Sequence, residues 1–287
     1  MSSRIAFASG KGGTGKTTFA VNFAHFLSLS GYKVQVADLD VEEPNAHIFL
    51  NPAIESTHSV KVWIPSFDYG KCNFCGECAK VCQFNALFVL PKEVLLFPEL
   101  CKSCKLCKRV CEQHAVIDSE REVGVVREGV TWDGIYFVDG VLNVKEAMPV
   151  SVINEAKRAL NEEYIQIIDA PPGTSCPFVK SVYDADIVVL VTEPTPFALH
   201  DLKSCVSFIK LLRKKIGVIV NRKIDDYLPL AEFLRSENIP VFAQIPEDLR
   251  IAKAYSEGKL FLESLPEYNR SFEELFHNIE RTLNGKF

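Results

Sequence analysis

Residues 10–17 of this chain read Gly10-Lys11-Gly12-Gly13-Thr14-Gly15-Lys16-Thr17 and fit the pattern G-x-x-x-x-G-K-[ST]. A short apolar run, residues 5–8, precedes the segment, and residues 19–29 follow it with helical apolar periodicity. Strand, glycine-rich loop and helix form the context in which this pattern predicts a phosphate site. The glycines let backbone N–H groups converge on phosphate oxygens, and the helix that begins near Lys16 adds its unpaired N–H groups. A glycine-rich turn without a ligand is the weaker alternative.

In a loop of this kind the lysine reaches the β- and γ-phosphates and the next hydroxyl ligates Mg²⁺, which assigns these roles to Lys16 and Thr17. Residues 11–18 also resemble the deviant Walker A motif of the ParA/MinD/Mrp class of P-loop ATPases. The resemblance implies that Lys11 crosses a dimer interface to the partner's nucleotide, and hence an ATP-dependent homodimer. The alternative for Lys11 is a solvated loop lysine. The implied ATP contacts from the loop are Gly12, Gly13, Thr14, Gly15, Lys16, Thr17 and Thr18.

Three later strand ends match the same family. The first is Asp38-Leu39-Asp40 after the apolar run 34–37, where the resemblance assigns Asp40 to the attacking water and Asp38 to the magnesium shell. The alternative is that both carboxylates cap the next helix. The second strand end is Asp169-Ala-Pro-Pro-Gly173, where Asp169 would hold the Mg²⁺ shell and the Gly173 N–H would sense the γ-phosphate. At the third, after residues 216–220, the resemblance places Asn221 against the adenine.

Composition narrows the class of protein. The net charge of −5 gives no broad electrostatic footprint for nucleic acid, and no apolar run has the length of a membrane-spanning helix. The N-terminus leads directly into the first strand without a secretory apolar region, so we expect a cytoplasmic protein that binds neither nucleic acid nor membrane. Ten cysteines in a reducing compartment indicate metal ligands in place of disulfides.

Eight of the cysteines form an internal duplication. Cys72, Cys75, Cys78 and Cys82 return 29 positions later as Cys101, Cys104, Cys107 and Cys111. The spacing C-x₂-C-x₂-C-x₃-C, present twice, resembles a bacterial ferredoxin with two [4Fe–4S] clusters, in which the fourth cysteine of each run ligates the other cluster. The resemblance therefore assigns cluster I to Cys72, Cys75, Cys78 and Cys111, and cluster II to Cys82, Cys101, Cys104 and Cys107.

The match to a ferredoxin has one departure, because Gln83 and Glu112 stand where ferredoxins usually place proline. A pair of structural zinc sites is the competing interpretation, although zinc ribbons usually separate their cysteine pairs by a longer stretch. Two cysteines stand outside the duplication. Cys205 is expected to be a buried small hydrophobe, and Cys176 to pack beside Gly173, with a redox or cluster-transfer role as its alternative.

The whole chain is thus expected to be an α/β protein with a doubly wound, mostly parallel sheet, formed by residues 1–59 and 123–287, and an inserted ferredoxin-like iron–sulfur domain at residues 60–122. The predicted function is a MinD/Mrp-like ATPase that couples ATP binding and hydrolysis to its clusters, in metallocluster biogenesis or in electron delivery to a client protein. The alternative is a ParA/MinD-like partner-binding or positioning switch in which the clusters are structural.

Overall fold

The computed structural model describes residues 3–284, so positions 1, 2 and 285–287 of the predicted ATPase domain lie outside the described residues. The strands are β1 (Arg4–Ala8), β2 (Val34–Asp38), β3 (Ala53–Phe67), β4 (Leu87–Leu90), β5 (Glu93–Leu96), β6 (Val116–Val130), β7 (Tyr136–Leu142), β8 (Ile165–Asp169), β9 (Ile187–Thr192), β10 (Lys215–Lys223) and β11 (Val241–Pro246). The helices are α1 (Lys16–Leu29), α2 (Ala46–Leu50), α3 (Glu77–Lys80), α4 (Leu106–Arg109), α5 (Pro149–Arg158), α6 (Cys176–Val182), α7 (Pro196–Leu211), α8 (Leu228–Ser236), α9 (Leu249–Ser256), α10 (Phe261–Ser264) and α11 (Asn269–Leu283).

Within residues 3–284, nine strands form one sheet in the order β11-β10-β9-β1-β8-β2-β7-β6-β3. All neighbours from β11 to β7 are parallel, and β6 and β3 extend the sheet in antiparallel pairing. The predicted α/β fold with a mostly parallel sheet is confirmed. Strand β1 lies between β8 and β9, so these two consecutive strands lie on opposite sides of it. Ligands of such sheets bind at the carboxyl ends of the strands around this point, where the glycine-rich loop leaves β1.

Helices cover both faces of the sheet. Along β1 the side chains alternate, so that Ile5 and Phe7 pack in one core with α1, α9, α10 and α11, and Ala6 and Ala8 in the other with α5, α6, α7 and α8. A parallel strand covered on both sides buries every side chain, which explains the unbroken apolar run at residues 187–191. Helix α11 packs its apolar stripe on the core through Phe272, Leu275, Phe276, Ile279 and Leu283.

Strands β3 and β6 form a long two-stranded ribbon at the edge of the sheet. Each has 15 residues, and they pair from Ala53 and Val130 at one end to Phe67 and Val116 at the other. Strand β7 covers only residues 124–130 of β6, so the other half of the ribbon continues past the pairing with β7 to the cysteine segment. The predicted domain limits, 59/60 and 122/123, fall inside the two strands, next to an irregularity in their pairing at Val60 and Lys61.

The cysteine segment repeats its backbone as well as its sequence. The pair Phe67 and Val116 at the end of the ribbon corresponds, through the 29-residue offset, to Leu96 and Leu87 in the hairpin of β4 and β5. The leading strand of one repeat thus pairs with the trailing strand of the other, which is an internal two-fold arrangement. Residues 29 positions apart also share a left-handed backbone: Phe74 and Ser103, Gly76 and Lys105, Asn85 and His114.

Candidate functional site

A cavity of about 510 Å³ opens at the carboxyl end of the parallel sheet, beside the glycine-rich loop. This volume lies within the range of small-molecule and cofactor sites. Helix α1 begins there after Gly15, whose φ of 97° is a left-handed conformation that favours glycine. A Cβ on Gly15 would also approach Asn221 Nδ2 to 2.5 Å. The predicted residues that line the cavity are Gly12, Gly13, Gly15, Lys16, Thr17, Thr18, Asp40 and Asn221.

A buried cation and buried carboxylates meet at the base of this cavity. The Lys16 ammonium lies 2.5 Å from Asp169 Oδ1 and 3.8 Å from Asp40 Oδ2. The Thr17 hydroxyl donates to Asp169 Oδ2 at 2.6 Å. Burial alone would lower the pKa of Lys16, but the charges of Asp169, Asp40 and Asp38 raise it above the ordinary lysine value. Lys16 therefore stays charged, and a hydroxyl and a carboxylate beside it offer the oxygen ligands that Mg²⁺ prefers.

Asp38 lies below the cavity and supports the turn after β2. Its carboxylate is fully buried and accepts hydrogen bonds from the backbone N–H groups of Asp40, Asn45 and Ala46. Burial, reinforced by the charge of Asp169, raises the pKa of Asp38. Burial also raises the pKa of Asp40 to about 6, against the opposing effect of Lys16. Asp38 thus orders the turn that carries Asp40 to the cavity wall. Its bond from the Ala46 N–H, at the start of α2, is the helix-capping contact expected as its alternative role.

Lys11, Thr14 and Gly173 do not line the cavity. The Lys11 ammonium lies 3.3 Å from Glu193 Oε2, on the neighbouring strand end, and is partly exposed. The Gly173 N–H donates to the Ser9 carbonyl at 2.9 Å, so in this conformation it is already paired. The Thr14 hydroxyl is buried and has no hydrogen-bond partner within residues 3–284.

Asn221 has a second contact, since its Nδ2 donates to the Thr14 carbonyl at 2.8 Å. The side chain that the resemblance places against adenine therefore also holds the glycine-rich loop.

Sequence reasoning missed an ion pair beside the site, between a buried carboxylate and a partly exposed arginine. Asp139 lies in the middle of strand β7 in register with Asp38, which also pairs with Asp169 at the end of β8, so three buried carboxylates lie side by side on adjacent strands. Arg127 of β6 donates from Nε to Asp139 Oδ1 at 2.9 Å and makes a second bond from its terminal nitrogen. An acid directly after an apolar run, residues 136–138, was the signal that could have identified Asp139.

The far wall of the cavity comes from the last third of the chain, where no motif marks it. This wall is formed by Arg222, Pro246, Glu247, Asp248, Leu249, Ile251, Ala252, Tyr255 and Phe261. The aromatic and aliphatic members have the spacing of ordinary core residues, so only the fold brings them to the site.

The eight cysteines of the duplication surround two separate cavities. Cys72, Cys75, Cys78 and Cys111 line one of them, and Cys82, Cys101, Cys104 and Cys107 line the other. Each cavity therefore takes three cysteines from one repeat and the fourth from the other repeat. The fourth cysteines are held alike, since the Ala86 N–H donates to Cys82 Sγ and the Ala115 N–H to Cys111 Sγ, both at 3.3 Å.

Each cavity has four cysteine thiols, the donor set that a [4Fe–4S] cluster or a structural zinc ion would take. Among the described residues, no three His, Cys, Asp or Glu side chains converge closely enough to hold one metal ion. In a cubane cluster each thiolate binds a different iron, so its four ligands surround a cavity and do not converge on a point. Burial raises the pKa of Cys78, and it raises that of Cys107 to about 11, so metal binding at both sites would release protons.

The two remaining cysteines differ in environment. Cys205 is fully buried in helix α7, and burial raises the pKa of its thiol to about 12, which agrees with the expectation of an inert packing residue. Cys176 is exposed at the first turn of α6. Its thiol therefore does not pack as expected, because the turn after Gly173 directs the start of α6 toward solvent.

No helix within residues 3–284 combines the length and apolar character needed to cross a membrane.

The chain is 29% identical over 262 residues to an uncharacterized protein of Methanocaldococcus jannaschii, covering 90% of this chain and 91% of that protein. It is 25% identical over 281 residues to an iron-sulfur cluster carrier protein of Aquifex aeolicus, covering 92% of this chain and 62% of that protein. Its fold resembles the septum site-determining protein MinD of Pyrococcus horikoshii complexed with Mg-ADP, with a TM-score of 0.61, 20% identity and coverage of 98% and 96%.

A family model described as the CobQ/CobB/MinD/ParA nucleotide binding domain matches residues 5–261, which include the glycine-rich loop, the cavity and the cysteine segment. The match extends over most of the chain. The protein is therefore a P-loop ATPase that belongs to the CobQ/CobB/MinD/ParA nucleotide-binding family.

Proposed function

We propose that this ATPase couples ATP binding and hydrolysis to two [4Fe–4S] clusters held by its cysteine segment, in metallocluster biogenesis or in electron delivery to a client protein. The observation that carries the proposal is the division of eight cysteines between two cavities, each with a complete set of four ligands. The name of the relative from Aquifex aeolicus, an iron-sulfur cluster carrier protein, supports it. The ribbon of β3 and β6 connects the cysteine segment to the sheet that carries the nucleotide cavity.

At the nucleotide site, Lys16 neutralises the β- and γ-phosphates, and Thr17 and Asp169 hold Mg²⁺, directly or through water. In this structure the Lys16 ammonium forms an ion pair with the Asp169 carboxylate. When ATP and Mg²⁺ bind, the phosphates would take the place of Asp169 beside Lys16, and Mg²⁺ would take the place of Lys16 beside Asp169. Asp40 stands at the cavity wall, where it can position the attacking water. Asn221 and the wall contributed by residues 246–261 receive the base.

At the cysteine segment, the chain supplies thiolates and a largely apolar surround. Phe67, Val89 and Val94 line the cavity of cluster I, and Trp63, Pro65 and Leu87 line that of cluster II. The groups that fit here, [4Fe–4S] clusters, accept and give up one electron at a time. Four protein ligands for each cluster suit a redox group that stays in the protein better than a cluster that is transferred to a client protein.

The cluster content tests the first half of the proposal. Protein purified without oxygen should contain about eight iron and eight sulfide per chain, if each cubane is complete. Iron and acid-labile sulfide analysis, together with visible absorption, measures this. Two zinc ions per chain without visible absorption would establish the structural zinc interpretation and overturn the proposal.

The coupling between nucleotide and clusters is a separate prediction. A coupled pair of sites changes each other's affinity by about fivefold or more. We therefore expect the Kd for ATP to differ by that factor between the oxidised and the dithionite-reduced protein, measured anaerobically by equilibrium titration. Protein that has been reduced and reoxidised is the control for handling. Equal affinities in both states would mean that the clusters are structural and would favour the partner-binding switch.

Lys11 gives the prediction for dimer formation. In the single chain its ammonium pairs with Glu193, and in an ATP-bound dimer it would leave this partner to contact the phosphates across the interface. In an Asp40→Ala background at saturating ATP, we expect sedimentation to show dimers, and the added Lys11→Ala change to leave monomers. Lys33→Ala, at an exposed lysine after α1, is the matched control. Equal dimer fractions with and without the Lys11→Ala change would mean that Lys11 is a solvated loop lysine and does not bridge the subunits.

A further inference from the structure

The two cysteine cavities have equivalent cysteines but differ in the charge of the other residues around them. Among the described residues, Lys102 and Lys105 line the cavity of cluster II and no carboxylate does, whereas Glu77 lines that of cluster I and no lysine or arginine does. Through the 29-residue offset, the places of the two lysines are taken by Asn73 and Gly76. Gly76 and Lys105 share a left-handed backbone, so the cavities differ in their side chains and not in the turns that carry them.

The difference in charge extends along the whole of each cysteine run. Residues 101–111 contain four basic side chains and no acidic one, whereas residues 72–82 contain one of each. Of the four, Lys108 forms an ion pair with Asp118 of β6, which leaves three that are not offset in this way. Two clusters of the same type and oxidation state carry the same charge, so these side chains make the cluster II end of the segment the more positive one.

The two lysines of the cluster II cavity have uncharged partners. Lys102 Nζ donates to the Ala147 carbonyl at 3.3 Å, and the Lys105 ammonium lies 5.7 Å from the centre of the Trp63 ring. Neither lysine forms an ion pair with a carboxylate within residues 3–284. Lys105 is exposed and Lys102 is half-exposed, so both charges can act on an acidic group that approaches from solvent.

The same side of cluster II also presents apolar surface and a cysteine. Cys104 is exposed, Leu106 beside it is 38% exposed, and Phe84 from the first repeat lines the same cavity and is 44% exposed. At the cavity of cluster I, the places of Leu106 and Phe84 are taken by the polar residues Glu77 and Gln113. Protein interfaces commonly combine an apolar centre with a polar or charged rim. The cluster II side has both parts, and the cluster I side has neither.

We propose that the surface formed by Phe84, Lys102, Cys104, Lys105 and Leu106 docks a small acidic protein that carries a one-electron redox group and reduces cluster II. The chain has a net charge of −5, so an acidic partner is repelled by the molecule as a whole and is steered to this positive surface. In the transfer, one electron leaves the reduced group of the partner, which is oxidised, and enters cluster II, which is reduced. No covalent bond forms or breaks. The inference rests on the proposed function, because it requires cluster II.

Rapid mixing of the full, cluster-loaded chain with an acidic plant-type [2Fe–2S] ferredoxin, reduced beforehand and freed of excess reductant, tests the inference. The test variant combines Lys102→Asn with Lys105→Gly, which gives the cluster II side the residues of the first repeat. Its second-order rate constant at low salt should be about tenfold below that of the wild type, and added salt should slow it less. The control combines Lys71→Gln with Lys80→Gln, removes the same charge at exposed positions of the first repeat, and should keep the wild-type rate.

Docking can also be measured without electron transfer. Calorimetric titration of the oxidised chain with the oxidised ferredoxin at low salt gives the Kd of the complex. We expect this Kd to rise about tenfold in the test variant and to stay unchanged in the control, because the lysines act on the association of the two proteins and not on the clusters themselves.

Three outcomes overturn the inference. The first is an unchanged rate and Kd in the test variant, and the second is an equal loss in the test variant and the control. The third is that reduction by dithionite, a small anion, slows as much as reduction by the ferredoxin, which would mean that the lysines attract small anions and not a protein. Iron and sulfide analysis of each protein separates these outcomes from a failure of the proposed function. If the wild type itself lacks clusters, the proposed function fails, whereas full clusters without the expected loss reject only the docking surface.

Discussion

Replacement of Lys16 by alanine is expected to abolish ATP turnover, with a loss of at least about 10²–10³-fold in the rate of hydrolysis. Lys16 is the cation that lies between the carboxylates of Asp169 and Asp40 at the base of the cavity. Without it, the phosphates of ATP would enter a site where negative charge is already concentrated. Repulsion in the ground state and lost stabilisation in the transition state then act together, so both binding and turnover should fail.

Asp40→Ala provides the contrast, because its proposed role is to position water and not to hold phosphate. Nucleotide binding should be retained and hydrolysis slowed. ATP binding by calorimetry and phosphate release measure the two effects separately, and Lys33→Ala controls for the loss of an exposed lysine.

Thermal unfolding of Lys16→Ala separates misfolding from the lost contact. Native hydrolysis by Asp40→Ala would contradict the assignment of Asp40, and retained turnover by Lys16→Ala that of Lys16.

The second large effect concerns the crossed arrangement of the cysteines. Cys111 belongs to the second repeat in sequence but lines the cavity of cluster I. Cys111→Ala should therefore remove cluster I, leave cluster II intact and reduce the iron content from about eight to about four per chain. Cys82→Ala should do the converse, because Cys82 lines the cavity of cluster II.

Iron analysis alone cannot distinguish the two losses, so the measurement combines it with electron paramagnetic resonance. The two variants should retain different signals, which together reproduce the wild-type spectrum. The matched comparison is Cys104→Ala, which lies in the same repeat as Cys111 but lines the cavity of cluster II. If Cys111→Ala and Cys104→Ala lost the same signal, each repeat would hold its own cluster and the crossed assignment would be wrong.

The sequence by itself determined the fold and the loop at its centre. The glycine-rich pattern lies between a strand and a helix, and the apolar runs of the parallel strands are continuous because helices cover both faces. These signals are local in the chain, and periodicity expresses them directly. The same holds for the 29-residue duplication, because the repeat in sequence corresponds to a repeat in backbone conformation.

Tertiary structure alone decided which distant groups meet. Asp139 lies on β7 and Arg127 on β6, and parallel pairing of β7 with β2 sets Asp139 beside Asp38. Arg121 and Glu146 are 25 positions apart and carry no motif. Their pairing depends on the antiparallel return of β7 along β6, which brings the connection before α5 beside Val123 of β6. Side-chain contacts of this kind depend on the order of the strands in the sheet. The alternating pattern of a strand shows which face each side chain takes, but it does not show which strand lies beside it.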